Sequence, residues 1–164
     1  MKTLNELVKD YGNYEVDEET LKKNMVKPKP KTIWDLKDGN TYWAINIDGD
    51  VYYSIWDDCK YEISMRNQGN VFLTKEEAEF EKKRREVYTT VKRYAYDFTK
   101  KEWNESNIKK YYPYYDYSDF SIKKDFNSYM CYSRLYFKSK EDIEKAITAV
   151  GKDDFKKYYF GVKE

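Results

Sequence analysis

Phe72-Leu73-Thr74-Lys75-Glu76-Glu77-Ala78-Glu79 is the stretch on which the fold turns. Thr74 offers the hydroxyl of a helix N-cap, and Glu77, three residues on, completes a capping box. The pattern predicts a long helix over about 75–95, with Phe80, Val87, Val91 and Tyr94 on one face. Phe137-Lys138-Ser139-Lys140-Glu141-Asp142-Ile143-Glu144 has the same pattern: aromatic, any residue, hydroxyl cap, Lys, acid, acid, apolar, Glu. Asp142 stands in the position of Glu77 and makes a weaker box. Gly151 suits the C-cap of this second helix, and a short helix over 152–159 follows.

Upstream of Phe72, Tyr42–Ile47 and Val51–Trp56 flank Asp48-Gly49-Asp50. A D-G turn between aromatic and β-branched runs predicts a hairpin. A third short strand ends at Val71-Phe72. In the second half, aromatic β stretches over 108–117, 119–126 and 129–137 precede the second helix. The order hairpin, strand, helix thus occurs twice. It predicts an α+β fold, with helices on one face of a small antiparallel or mixed sheet. The expected plan is a single domain with units at 31–95 and 96–164, after an N-terminal helical arm and basic linker at 1–30. Capping boxes are common and eight matched positions are few, so two unrelated helix starts is the competing reading. In the arm, Leu4, Leu7, Val8 and Tyr11 form a helical stripe ended by Gly12-Asn13. Asp17 caps a second short helix carrying Leu21 and Met25, and Pro28 and Pro30 break it. Val26–Lys31 reads as an extended basic connector.

The chain has 164 residues, with 19 Tyr, 8 Phe and 4 Trp but no His. Mean hydropathy is low, −1.04, yet net charge is only +1. Disordered chains lack aromatics and carry high net charge, so a folded core built from aromatic rings is expected. Without His, the Ser-His-Asp and Cys-His constellations have no parts and the common zinc sites are unavailable. No glycine-rich phosphate loop occurs. Asp48-Gly49-Asp50 fails the calcium-loop pattern, since Gly stands second and no Glu follows at position twelve. No catalytic residue, metal or cofactor is expected, and the chain reads as a binding protein rather than an enzyme. Cys59 and Cys131 form no C-x-x-C motif, and nothing supports a disulfide between them. Met1–Glu6 lacks the apolar core of a signal peptide and no window is apolar enough to span a membrane. A cytoplasmic setting is expected.

Three surfaces are candidates for partners. Tyr111-Tyr112-Pro113-Tyr114-Tyr115-Asp116-Tyr117 is the most unusual run. Pro113 points to an edge strand, and an aromatic edge needs cover from the chain or from a partner. Tyr111, Tyr112, Tyr114, Tyr115 and Tyr117 are therefore the first choice for partner contacts. The competing reading is a strand with aromatics on both faces, Tyr111, Pro113, Tyr115 and Tyr117 sharing one. The second surface is acidic. Residues 38–62 hold six acids and one base, and Asp48, Asp50, Asp57 and Asp58 could imitate phosphates toward a basic cleft. The competing reading is that they face the basic connector, since residues 20–37 hold six bases and one acid. The third is basic. Lys82, Lys83, Arg84, Arg85, Lys92 and Arg93 suit nucleic-acid phosphates. Against this, Glu79–Lys83 and Glu81–Arg85 have i, i+4 spacing, and an acidic-then-basic order complements the helix dipole.

Thr3–Lys22, Val26–Trp43, Gly69–Arg85 and Lys156–Glu164 resemble, in the same order, a family of small proteins from phages and mobile elements of low-GC Gram-positive bacteria. The Tyr-rich part at about 96–135 matches less clearly. The family brings no catalytic signature to these positions. The resemblance implies an anti-defence accessory protein, by analogy an anti-CRISPR protein that binds a host Cas nuclease of Cas9 type and blocks cleavage. A nucleic-acid-binding phage accessory protein using the basic helix at 82–93 is the alternative.

Overall fold

A computed structural model describes residues 4–12, 17, 32–127 and 135–163. The expected helix after Asp17, the connector 26–31, Cys131 and most of the stretch at 129–137 lie outside these residues. Helix α1 spans Leu4–Tyr11. Strands β1 (Thr41–Ile45) and β2 (Val51–Ile55) form the expected hairpin, with Trp43 opposite Tyr53 and Ala44 opposite Tyr52. Its turn is closed by Asn46, whose side-chain oxygen accepts from the Asp50 N–H at 2.7 Å. Gly49 sits at φ +86°, which a side chain would resist.

Helix α2 (Lys60–Asn67) follows, and then α3 (Lys75–Lys92). The Thr74 hydroxyl accepts from the Glu77 N–H at 3.2 Å, and Glu77 accepts from the Thr74 N–H at 3.3 Å, so the predicted box is complete. A short helix, α4 (Lys100–Asn104), precedes the second hairpin, β3 (Lys110–Asp116) with β4 (Ser121–Asn127). Helix α5 (Lys140–Val150) starts at Ser139, which accepts from the Asp142 N–H at 3.1 Å, and ends at Gly151 with φ +87°. One α turn, α6 (Lys152–Asp154), and a π-helical turn over Phe155–Tyr159 occupy the predicted terminal helix.

The fold is α+β, but among the described residues the strands form two separate two-stranded antiparallel sheets, not one. In the first unit the expected third strand is a single bridge, Phe72 with Trp43; of the stretch expected at 129–137 only 135–137 is described, and there Phe137 bridges Tyr111. The cap two residues later draws the chain into its helix before a second pair forms. Two cores result. Leu36, Tyr42, Ala44, Trp56, Met65 and Val71 fill the first. Val87, Val91, Phe137, Ile143, Ala146 and Phe155 fill the second. Helix α3 joins them: it packs on β1 and β2, and also on α5 and the π turn. At 1.5 Å per residue its 18 residues span about 27 Å, enough to carry Val87 and Val91 into the second core. Among the described residues no helix is long and apolar enough to cross a membrane.

Candidate functional site

Side chains alternate along β3, so Lys110, Tyr112 and Tyr114 share one face and Tyr111, Pro113 and Tyr115 the other. Tyr111 packs on the second core, and its backbone N–H donates to the Phe137 carbonyl at 3.0 Å. Two residues on, the Pro113 nitrogen points to the same outer edge, where no ladder bond is lost. Tyr115 lies 6.1 Å from the Phe160 ring. On the other face Tyr112 meets Tyr136 edge-on at 6.1 Å and Tyr114 at 6.3 Å. Four of the five candidate tyrosines are thus half-buried, and only Tyr117 projects, 67% exposed.

Beside Tyr117 in the same turn stands Phe120, 68% exposed. Its φ is +54°. A bulky side chain in this region is strained, and such strain persists only where neighbours hold it. Here they do. Asp116 accepts from the Ser118 N–H at 2.9 Å and from its hydroxyl at 2.6 Å. The Lys123 ammonium bridges Asp116 at 2.5 Å and Asp119 at 2.8 Å. Lys123 and Ser118 hold the Asp116 carboxyl well below the usual carboxylate range. Tyr115 and Tyr117 meet edge-on at 4.9 Å. The tip of the second hairpin is therefore a braced turn displaying two aromatic rings.

The acidic candidates divide. Asp48 and Asp50 are exposed at the turn of the first hairpin, whereas Asp57 and Asp58 lie at its other end. At about 3.3 Å per residue, β2 separates the two pairs by roughly 20 Å, so they form no single patch. Asp58, at φ +60°, accepts from the Trp56 indole N–H at 3.3 Å. Asp57 accepts from the Cys59 thiol and N–H, which hold its carboxyl below the usual range. Asp57, Cys59 and Glu62 bring possible metal ligands within 4.8 Å of one another. Their contacts read as a helix start: Cys59 is the N-cap of α2, and Glu62 accepts from the Asp57 N–H at 2.8 Å. Buried Tyr42 also hydrogen-bonds Glu62 and Ser54, and burial raises its phenol well above the usual range.

The basic candidates are mostly engaged. Glu81 takes Arg84 at 2.6 Å and Arg85 at 2.9 Å, the second as spacing predicts. Burial would raise the Glu81 carboxyl, but the two guanidiniums outweigh it and hold it low. Arg85 also donates to the Asn70 side chain at 3.1 Å and the Gly69 carbonyl at 3.0 Å. These groups line a hollow of about 600 Å³. The expected Glu79–Lys83 pair does not form, because Asp154 folds back to take Lys83 at 3.2 Å and Glu79 takes Lys75. Lys92 and Arg93 are exposed and Lys82 is half-buried.

Two cations escaped the sequence reading. Lys110 is fully buried. Its ammonium donates to the Glu105 carbonyl at 2.9 Å and the Trp103 carbonyl at 3.5 Å, capping the C-terminal end of α4. Arg66, in the last turn of α2, is flanked by Trp34 and Trp56, its guanidinium carbon 5.0 and 4.8 Å from their ring centres. Its Nε is buried with no hydrogen-bond acceptor. A cation–π contact at an exposed ring contributes about 0.5–1 kcal/mol. An N–H buried without an acceptor costs about 1–3 kcal/mol. The contact with buried Trp56 adds about 2 kcal/mol, so the two contacts roughly offset that cost. The chain matches no family model, no curated protein and no solved structure.

Proposed function

We propose that this protein acts by stoichiometric binding to another protein, with a host CRISPR–Cas nuclease of Cas9 type as its target, so that binding blocks cleavage. In that role it works in the host cytoplasm, without catalysis of its own. One observation carries the binding part: the braced tip of the second hairpin holds Tyr117 and Phe120 in solvent, Phe120 at a strained φ of +54°. Folding alone gains little from two exposed rings on a strained turn. A partner does gain, because rigid aromatic side chains supply contact area at low entropic cost and dominate interface energetics. The target class rests on the sequence resemblance alone.

The test is co-elution of the purified chain with a guide-loaded Cas9, together with a cleavage assay. A one-to-one complex and loss of cleavage are expected. The double variant Tyr117→Ser, Phe120→Ser should weaken inhibition about tenfold or more. Unchanged cleavage under excess protein, with no co-elution, overturns the target. Steeply salt-dependent binding to DNA alone would instead assign the alternative, through Lys82, Lys92 and Arg93.

A further inference from the structure

We propose that Arg66 and Trp34 form a recognition site for the carboxylate side chain, Asp or Glu, of a partner protein. This rests on the protein-binding reading but uses a different surface from the hairpin tip. The guanidinium of Arg66 carries five N–H donors in a planar fork. Trp34 and Trp56 flank it, 5.0 and 4.8 Å from its central carbon. No carboxylate lies within ion-pair distance among the described residues. Glu62, one turn earlier and the ordinary i, i+4 partner, is turned inward to the Asp57 N–H and Tyr42. The Nε is buried without an acceptor, whereas the terminal nitrogens are not. What remains open is the edge of the fork, which matches a carboxylate in a bidentate geometry.

The surroundings favour a singly charged anion. Asp58 sits beside the site, on the Trp56 indole N–H at 3.3 Å, and its repulsion grows with the charge of the ligand. A carboxylate carries one charge and presents two coplanar oxygens to the planar fork. Trp34 is 63% exposed and forms the outer wall. Trp and Arg are the residues most enriched among interface hot spots, and here they are already stacked, so little ordering remains on binding.

The test is a titration of the full chain, labelled with ¹⁵N, followed at the Arg66 Nε–H and the Trp34 and Trp56 indole N–H signals. The probes are an acetylated, amidated Gly-Glu-Gly peptide, its Gly-Gln-Gly counterpart, and inorganic phosphate. Saturable shifts with the Glu peptide alone are expected. They should weaken about tenfold in Arg66→Lys, which keeps the charge but loses the fork, and also in Trp34→Ala, whose exposed position spares the core. Equal response to the Gln peptide, no response at Arg66, or tighter saturation by phosphate each overturns the proposal. No nuclease enters this measurement. A silent titration beside intact nuclease binding removes this site alone, and a positive titration without nuclease binding removes only the target.

Discussion

Phe72 and Trp43 exchange both backbone hydrogen bonds at 2.8 Å, and Phe137 holds the same relation to Tyr111 at 2.8 and 3.0 Å. Each aromatic residue arrives beside the first strand of its hairpin, pairs once, and hands the chain to a capped helix. The eight-residue pattern seen at 72–79 and 137–144 thus corresponds to a repeated three-dimensional step.

The caps should therefore be comparable in weight. Thr74→Ala and Ser139→Ala each cost about 1 kcal/mol, and the double variant sums them, the two sites being far apart. Ser139 should cost somewhat more. Its hydroxyl both donates to the Asp142 carboxylate and accepts from the Asp142 N–H, whereas the bonds Glu77 accepts from the Leu73 and Thr74 backbone N–H groups survive Thr74→Ala. Urea unfolding followed by circular dichroism measures both.

Lys110 should be irreplaceable by an apolar residue of equal length. In Lys110→Met the Glu105 carbonyl stays buried and loses its donor, at about 1–3 kcal/mol. Lys110→Glu should cost more, since a buried negative charge then faces the carbonyl end of α4. Chemical denaturation of the two variants tests this.

The tyrosines should separate into two classes. Tyr111→Ala removes a ring packed on the second core and costs about 2 kcal/mol. Tyr117→Ser should stay within about 0.5 kcal/mol of the parent protein. Phe120→Gly should raise stability by up to about 1 kcal/mol by relieving the left-handed backbone, while weakening partner binding. Melting curves beside the cleavage assay read both effects.

Stability should hold level across neutral pH, because the chain has no His to titrate there. Asp116, Asp119, Asp142 and Glu81 are all held below their ordinary values by the cations beside them. Each contributes stability above the unfolded carboxylate value of about 4 and loses it as pH falls through its lower folded value. Tyr42 acts at the other end. Burial raises its phenol, so its contribution is present below about pH 10 and lost as pH rises and the unfolded phenol ionises. Tyr42→Phe should flatten that alkaline fall, and Asp116→Asn the acid one, in melting curves taken across pH.

The first hairpin, both capped helices, the Gly151 stop and the α+β class were legible in the residues. All but the class rest on contacts within three or four positions, which neighbours in sequence decide. The box Thr99-Lys100-Lys101-Glu102 carries the same local signal, though none of the expected elements covers it. Other features depended on what returns from far along the chain. Phe160 and Tyr136 decide that Tyr115 and Tyr112 are sheltered while Tyr117 is not. Asp154 takes Lys83 from Glu79. The last turn of α4 buries Lys110. Trp34 closes over Arg66 from more than thirty residues away. Local pattern determines where helices start and hairpins turn, because those hydrogen bonds lie between near neighbours. Tertiary packing alone determines which rings and cations remain for a partner, because burial is a property of what else arrives.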